Sequence, residues 1–377
     1  MSKGVDNIKT IMKFTFTSLF TFIISVSFVY FMPSIKIINP VFSVSILIFS
    51  IFLAILIHEI GHALIAKADG WNFISLSVGP FKIIKEKKLK IIKISNVNEF
   101  FGLTAIVPSK NMKLSLRNSL KRVAIAGPIS SLLFFFLLFF SSHIVNLSFL
   151  KAILQITSLP NFLIGVTTLM PFQFGSLQTD GKLFLLMRKE SHITLSYLSL
   201  FKIKNVATSS LVPSKWNIGL LRDLENYSKP IDSINISSFE FNLQLEMRLY
   251  LFYYYIDTKN YEKAEDLLTP VVKLMHSKTM RKNHLVQVLY NLYITFLAIY
   301  NKDSRKSRYL FNKLNKNLSL DGYGYRRAEI MTLYAEQNFE QAKELAQKIY
   351  YKLPFQNGMM NIEKEWYKAV LKEDECL

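Results

Sequence analysis

The sequence predicts a mainly α-helical, polytopic membrane protein, a bundle of about four spans with a small β insertion, followed by a cytoplasmic α-helical repeat domain. Three observations carry this. Half of the 377 residues are apolar, only 19% are charged and mean hydropathy is +0.23, whereas soluble domains carry about a quarter charged residues. Four apolar runs have the length of membrane spans. Beyond Leu243 the texture becomes helical, with polar residues at the turns.

The first run, Phe14 to Met32, follows Lys3, Lys9 and Lys13. At about 19 residues it exceeds a signal-peptide core and ends in Tyr30-Phe31-Met32-Pro33, with no small-residue cleavage site, so it reads as an uncleaved helix. The second spans Val41 to Ala66, the third Val123 to Ser141 and the fourth Ile153 to Phe172. Between the second and third, Trp71 to Pro108 is rich in Ile, Val, Phe and Ser, with turn residues at Gly79-Pro80 and Gly102, and predicts short strands. The expected domains are a transmembrane helix in 1–40, a membrane core in 41–200 with its β insertion at 71–108, a Ser/Pro/Asn-rich linker at 201–240, and a helical domain at 241–377.

Charge sets the orientation. The chain carries +19, and residues 1–240 hold 25 basic and 11 acidic groups of the total 46 and 27. Lys67 to Arg122 contains twelve Lys/Arg and three acidic residues, while the opposite connections contain only Lys36 and Lys151. Both termini and the central loop are therefore expected in the cytoplasm. The basic surplus belongs to membrane orientation, so no nucleic-acid partner is expected. The composition suits a bacterial plasma membrane. With Cys376 alone, a disulfide scaffold is excluded.

In the tail, Asn260-Tyr261-Glu262-Lys263-Ala264 is echoed 78 residues later by Asn338-Phe339-Glu340-Gln341-Ala342, with Asp303-Ser304-Arg305-Lys306-Ser307 roughly midway. A turn followed by aromatic-x-x-Ala resembles the tetratricopeptide repeat, which implies a cytoplasmic protein partner. An arbitrary helical bundle is the alternative.

The chemistry sits in His58-Glu59-Ile60-Gly61-His62, near the end of the second apolar run. Histidines at i and i+4 share one helical face and can hold one Zn²⁺. Glu59, about 100° round the helix, is placed to take a proton from water. Ionisable groups this far inside a span face a polar cavity. None of His143, His192, His276 and His284 suits a third ligand, so a carboxylate is expected. Glu86 and Glu99 in the basic strand region stay open, but Asp180 is better placed, at the start of a short apolar helix that Thr179 or Asp180 can cap.

These features together resemble the site-2 protease family of intramembrane zinc metalloproteases. The resembling residues are His58 to His62, Ala126-Gly127-Pro128, Pro171 and Thr179-Asp180-Gly181, with Ser77 to Phe81 and Gly102 to Pro108 matching the family's β-rich insertion, over about residues 40 to 190. The resemblance implies that His58, His62 and Asp180 bind zinc, that Glu59 is the catalytic base, and that the substrate is a membrane-embedded protein or peptide met within the lipid bilayer. Thr168 stands where family members usually carry Asn, and the stretch from Pro171 to Asp180 is longer than in many members. The competing expectation is a catalytically silent scaffold that binds partners through its repeats. A metal transporter fits poorly, since one polar constellation makes no continuous path.

Overall fold

The computed structural model describes residues 40–85, 89–93, 102–109, 112–174, 177–207, 210–235, 239–314, 321–351 and 358–372. The chain divides into two compact units, Met1–Glu190 and Ser191–Leu377.

In the first unit, α1 (Pro40–Ala68), α2 (Leu116–Ile144) and α3 (Ser148–Leu169) are each long and apolar enough to cross a membrane. They coincide with the second, third and fourth apolar runs. The first run, Phe14 to Met32, lies outside the described residues, which thus hold three candidate spans. Lipid is as apolar as leucine, so such helices associate through close packing at small residues. A Cβ on Gly61 of α1 would meet Ser130 Oγ of α2 at 2.2 Å, and one on Gly165 of α3 would meet the Leu132 side chain of α2 at 2.8 Å. A polar contact, Ser50 Oγ donating to Thr157 Oγ1 at 3.0 Å, adds a tie between α1 and α3.

The expected strands form an antiparallel sheet of β1 (Asn72–Val78), β2 (Phe81–Lys85), β3 (Leu89–Lys93) and β4 (Leu103–Val107), in the order β3-β2-β1-β4. β1 runs back along α1. At one end Trp71 N–H donates to Ala66 O at 2.9 Å. At the other, the turn at Gly79 (φ +54°) lies so close to Phe52 that a Cβ would stand 2.4 Å from its ring. Phe52 is about 24 Å along the helix from Ala68, so the sheet reaches deep beside α1. Lys85 and Lys90 fall at the far end of the β2–β3 ladder from this turn; Lys87 and Lys88 lie outside the described residues.

A buried carboxylate pins the corner between helix, sheet and next helix. Asp69 accepts from Ser119 Oγ at 2.7 Å and from Arg122 Nη1 at 2.9 Å, and the Trp71 indole donates to the same Ser119 hydroxyl at 2.6 Å. After α3 the chain makes a small hairpin, β5 (Gln173–Phe174) with β6 (Leu177–Gln178), and enters α4 (Asp180–Arg188).

The second unit comprises α5 (His192–Ala207), α6 (Ile218–Tyr227), α7 (Phe239–Asp257), α8 (Tyr261–Leu274), α9 (His284–Ile299), α10 (Ser304–Asn312), α11 (Gly322–Ala335), α12 (Phe339–Tyr350) and α13 (Gly358–Leu371). Residues 201–240, expected as a linker, instead contribute the end of α5, all of α6 and two 3-10 turns. Their Leu221, Leu224, Trp216 and Ile231 sit in the unit's core. The composition misleads because its Pro and Asn residues are helix starters, with Pro213 in the first turn of one 3-10 helix and Asn217 capping α6.

The echoed segments fall at three equivalent turns. Lys259, Lys302 and Gln337 all take positive φ (58°, 51° and 63°). Each is followed by an Asx residue, Asn260, Asp303 and Asn338, at the N-cap of the next helix. Ala264, Ser307 and Ala342, four residues beyond each cap, are fully buried.

At the centre of this unit Glu363 is buried with Arg327, and it also accepts from Tyr253 Oη and, at 2.6 Å, from Tyr323 Oη. Burial first, and then the Glu363 carboxylate, push both tyrosine hydroxyls well above their usual range, so they remain donors. The Arg327 guanidinium lies 5.7 and 5.8 Å from the Tyr323 and Trp366 ring centres. Removing one member of a buried pair leaves the other charge without compensation, at about 3–5 kcal/mol. Glu363→Ala is therefore expected to lower unfolding stability by that amount, read by urea titration of the full chain in detergent through tryptophan fluorescence. A loss below about 1 kcal/mol would place the pair in a solvated setting.

Candidate metal centre

α1 carries no charged residue from its start through Ile57, and then places His58, Glu59 and His62 within about one turn, about 9–15 Å from its C-terminal end. All three are buried, at 5%, 8% and 9% exposure. The imidazoles turn toward α2 and α4. His58 Nε2 lies 3.0 Å from Asp180 Oδ2, His62 Nε2 lies 3.5 Å from Asp180 Oδ1, and the two Nε2 atoms are 3.2 Å apart. Ligand atoms about a tetrahedral zinc with bonds of about 2.0–2.1 Å stand roughly 3.3 Å from one another. The spacing fits.

The outer nitrogens support the same conclusion. His62 Nδ1 donates to the Val123 carbonyl at 2.7 Å, and a carbonyl can only accept. In the neutral ring the Nε2 lone pair therefore faces the centre. His58 Nδ1 is likewise engaged, 3.2 Å from Ser131 Oγ. Outer-shell bonds of this kind fix the tautomer and the ring plane of metal-binding histidines. A carboxylate and two imidazole lone pairs aimed at one point repel unless a proton or a cation lies between them.

Asp180 comes from beyond α3, and several contacts hold it in place. Thr179 caps α4, accepting from Lys182 N–H at 3.4 Å, while its hydroxyl donates to Met170 O at 2.5 Å and accepts from Phe172 N–H at 3.0 Å. Gly181 allows α4 to start against the end of α3, since a Cβ there would stand 1.8 Å from Leu169 O.

Room for an ion comes from Gly127 on α2. A Cβ at this position would lie 2.4 Å from His62 Nε2 and 2.8 Å from His58 Nε2. Among the described residues, His58, His62 and Asp180 form a group whose ligand atoms lie within 4.8 Å of one another and can hold a metal ion. Their two-His, one-carboxylate set, with a fourth position left open, is the donor chemistry of catalytic zinc.

The model of Peptidase family M50 matches residues 46–355. The chain belongs to this family of zinc-dependent metalloproteases, the site-2 protease family. No curated protein and no solved structure matched the chain. The match runs well beyond residue 190, the limit of the resemblance in sequence, and takes in most of the second unit.

The structure brings together three of the residues expected at the site and sets the fourth, Glu59, on the neighbouring face of α1. There its carboxylate accepts from Thr104 Oγ1 of β4 at 2.7 Å. Glu86 and Glu99, the other candidate ligands, lie outside the described residues. Thr168 makes no bond to the centre, and its hydroxyl donates to Ile164 O at 2.7 Å in its own helix. Ser131 and the Val123 carbonyl have parts at the site that the sequence does not announce, while Gly127 and Thr104, in segments that carry the family resemblance, are seen here against His62 and Glu59. Filling the space at Gly127 has a measurable consequence. Gly127→Ala is expected to abolish zinc uptake while helical circular dichroism persists, and elemental analysis of the purified protein decides this. Undiminished zinc in that variant would mean that the ion sits elsewhere.

Proposed function

We propose that the chain is an intramembrane zinc metalloendopeptidase that hydrolyses a membrane protein or membrane-inserted peptide. His58, His62 and Asp180 would hold the metal and Glu59 would be the base. The carrying observation is the convergence of His58 Nε2, His62 Nε2 and an Asp180 oxygen at 3.0–3.5 Å beside a glycine that leaves space for an ion. Bound zinc supplies a Lewis acid that acidifies water and polarises a carbonyl.

The rest is the work of the chain itself. Glu59 accepts the proton of the attacking water on its carboxylate and delivers it to the leaving amine nitrogen. Val123 O and Ser131 keep the imidazoles in the tautomer that faces the ion. The substrate's helix has its carbonyls tied up internally and must unwind before attack. β4 ends the sheet order, and a strand at that edge can replace the substrate's lost backbone hydrogen bonds. Its Thr104 touches Glu59, so a peptide paired there would lie beside the base.

The charge bias of the loops supports an integral membrane protein with cytoplasmic termini, in keeping with a bacterial plasma membrane. The helix hairpins of the second unit suit a cytoplasmic protein partner. Glu59→Gln keeps the shape of the side chain and removes its basicity. Membranes from cells expressing this variant should accumulate an uncleaved precursor that wild type removes, measured by quantitative proteomics. Identical peptide profiles for the two would remove the support for an endopeptidase.

A further inference from the structure

Among the described residues, Glu59 is held by hydrogen bonds from one side. Thr104 Oγ1 lies 2.7 Å from Oε2 and 3.0 Å from the Glu59 backbone oxygen, so a single hydroxyl proton ties the carboxylate back onto its own helix. The other oxygen, Oε1, lies against Gly102, where a Cβ would come to 2.6 Å. Gly102 has φ +103°, a conformation that favours glycine. One oxygen is thus anchored, and the other faces a position kept clear of side chain. Among the described residues Glu59 has no other hydrogen-bond partner.

We propose that Thr104 is a positioning residue for Glu59: its hydroxyl fixes the carboxylate through Oε2 and leaves Oε1 to exchange the proton. This rests on the reading of Glu59 as the base. A hydroxyl is not required by the strand itself. Thr104 is held in the sheet by backbone pairing opposite Leu76, and valine has the same branched shape and β preference. The hydroxyl hydrogen bond is therefore separable from the fold. Because Thr104 sits on the edge strand β4, the same residue links the strand that would receive a substrate to the group that would act on it.

The test uses the full-length protein in detergent, loaded with Co²⁺ in place of Zn²⁺ so that visible absorption reports both metal and ligand. The probe is acetohydroxamate, a small chelator whose acidic hydroxyl gives its proton to a neighbouring base on binding. Thr104→Val should bind Co²⁺ as wild type does and bind acetohydroxamate about tenfold more weakly, as expected for loss of a hydrogen bond to a charged group. Thr104→Ser should restore binding to within about twofold, and Glu59→Gln should be weakened at least as much as Thr104→Val. Wild-type affinity in Thr104→Val beside a weakened Glu59→Gln overturns the positioning role and leaves the base in place. Wild-type affinity in Glu59→Gln overturns the base itself. Loss of Co²⁺ from Thr104→Val overturns the proposal in favour of a structural role for the hydroxyl.

Discussion

A carboxylate and two imidazoles meeting inside an apolar helix bundle is an arrangement that hydrocarbon does not tolerate without a positive charge at its centre. The first unit is organised around that meeting. The two histidines come free with the helix, since residues four apart share a face. The carboxylate must be carried from the far side of two more spans, and this explains the rigid path after α3. Thr179 ties the extended segment to the backbone on both sides, Gly181 lets α4 start against Leu169, and Asp180 is delivered at its first turn. α2 passes beside them with a glycine at 127, because a Cβ there would lie 2.4 Å from His62 Nε2 and 2.8 Å from His58 Nε2.

The sheet is the second consequence of working inside a membrane. Backbone groups at depth must be satisfied by protein or face a watery cavity. β1 and β2 satisfy each other and their neighbours, and β1 lies along α1 from Ala66 to Phe52. The outer edge of β4 is different. It ends the sheet next to Glu59, whose carboxylate accepts from Thr104 Oγ1. The Asp69 corner joins the end of α1, Trp71 at the entry to β1 and the start of α2.

The range of each interaction decides whether the sequence discloses it. The helical spans and the His-x-x-x-His pair are local patterns and are legible. Asp180 is reachable from its place after the last span and at a helix start. Ser131 and Thr104 act through pairings 73 and 45 residues apart, and a serine or a threonine gives no local sign of such a partner. The 201–240 segment deceives for the opposite reason. Its Ser, Pro and Asn residues have the composition of a loop, yet Asn217 and Pro213 start helices that bury Trp216, Leu221 and Leu224.

The second unit shows the same logic in its turns. Left-handed backbone at a helix end is usually glycine, because other residues pay a steric penalty of roughly 1–2 kcal/mol. Here Lys259, Lys302 and Gln337 take that conformation three times. The next residue holds each of them there. Asn260, Asp303 and Asn338 donate their backbone N–H to Tyr255 O, Leu297 O and Leu333 O of the preceding helix at 2.8–3.0 Å and stand at the N-cap of the next, where Asn260 and Asp303 also accept a backbone N–H on their side chains. The cap and the buried small residue four positions later define the turn, so the residue before the cap is free to vary. That is why these turns show in sequence as an Asx-led echo with a degenerate middle copy. Serine replaces alanine at position 307 without loss of geometry because its hydroxyl returns to Ser304 O at 3.0 Å.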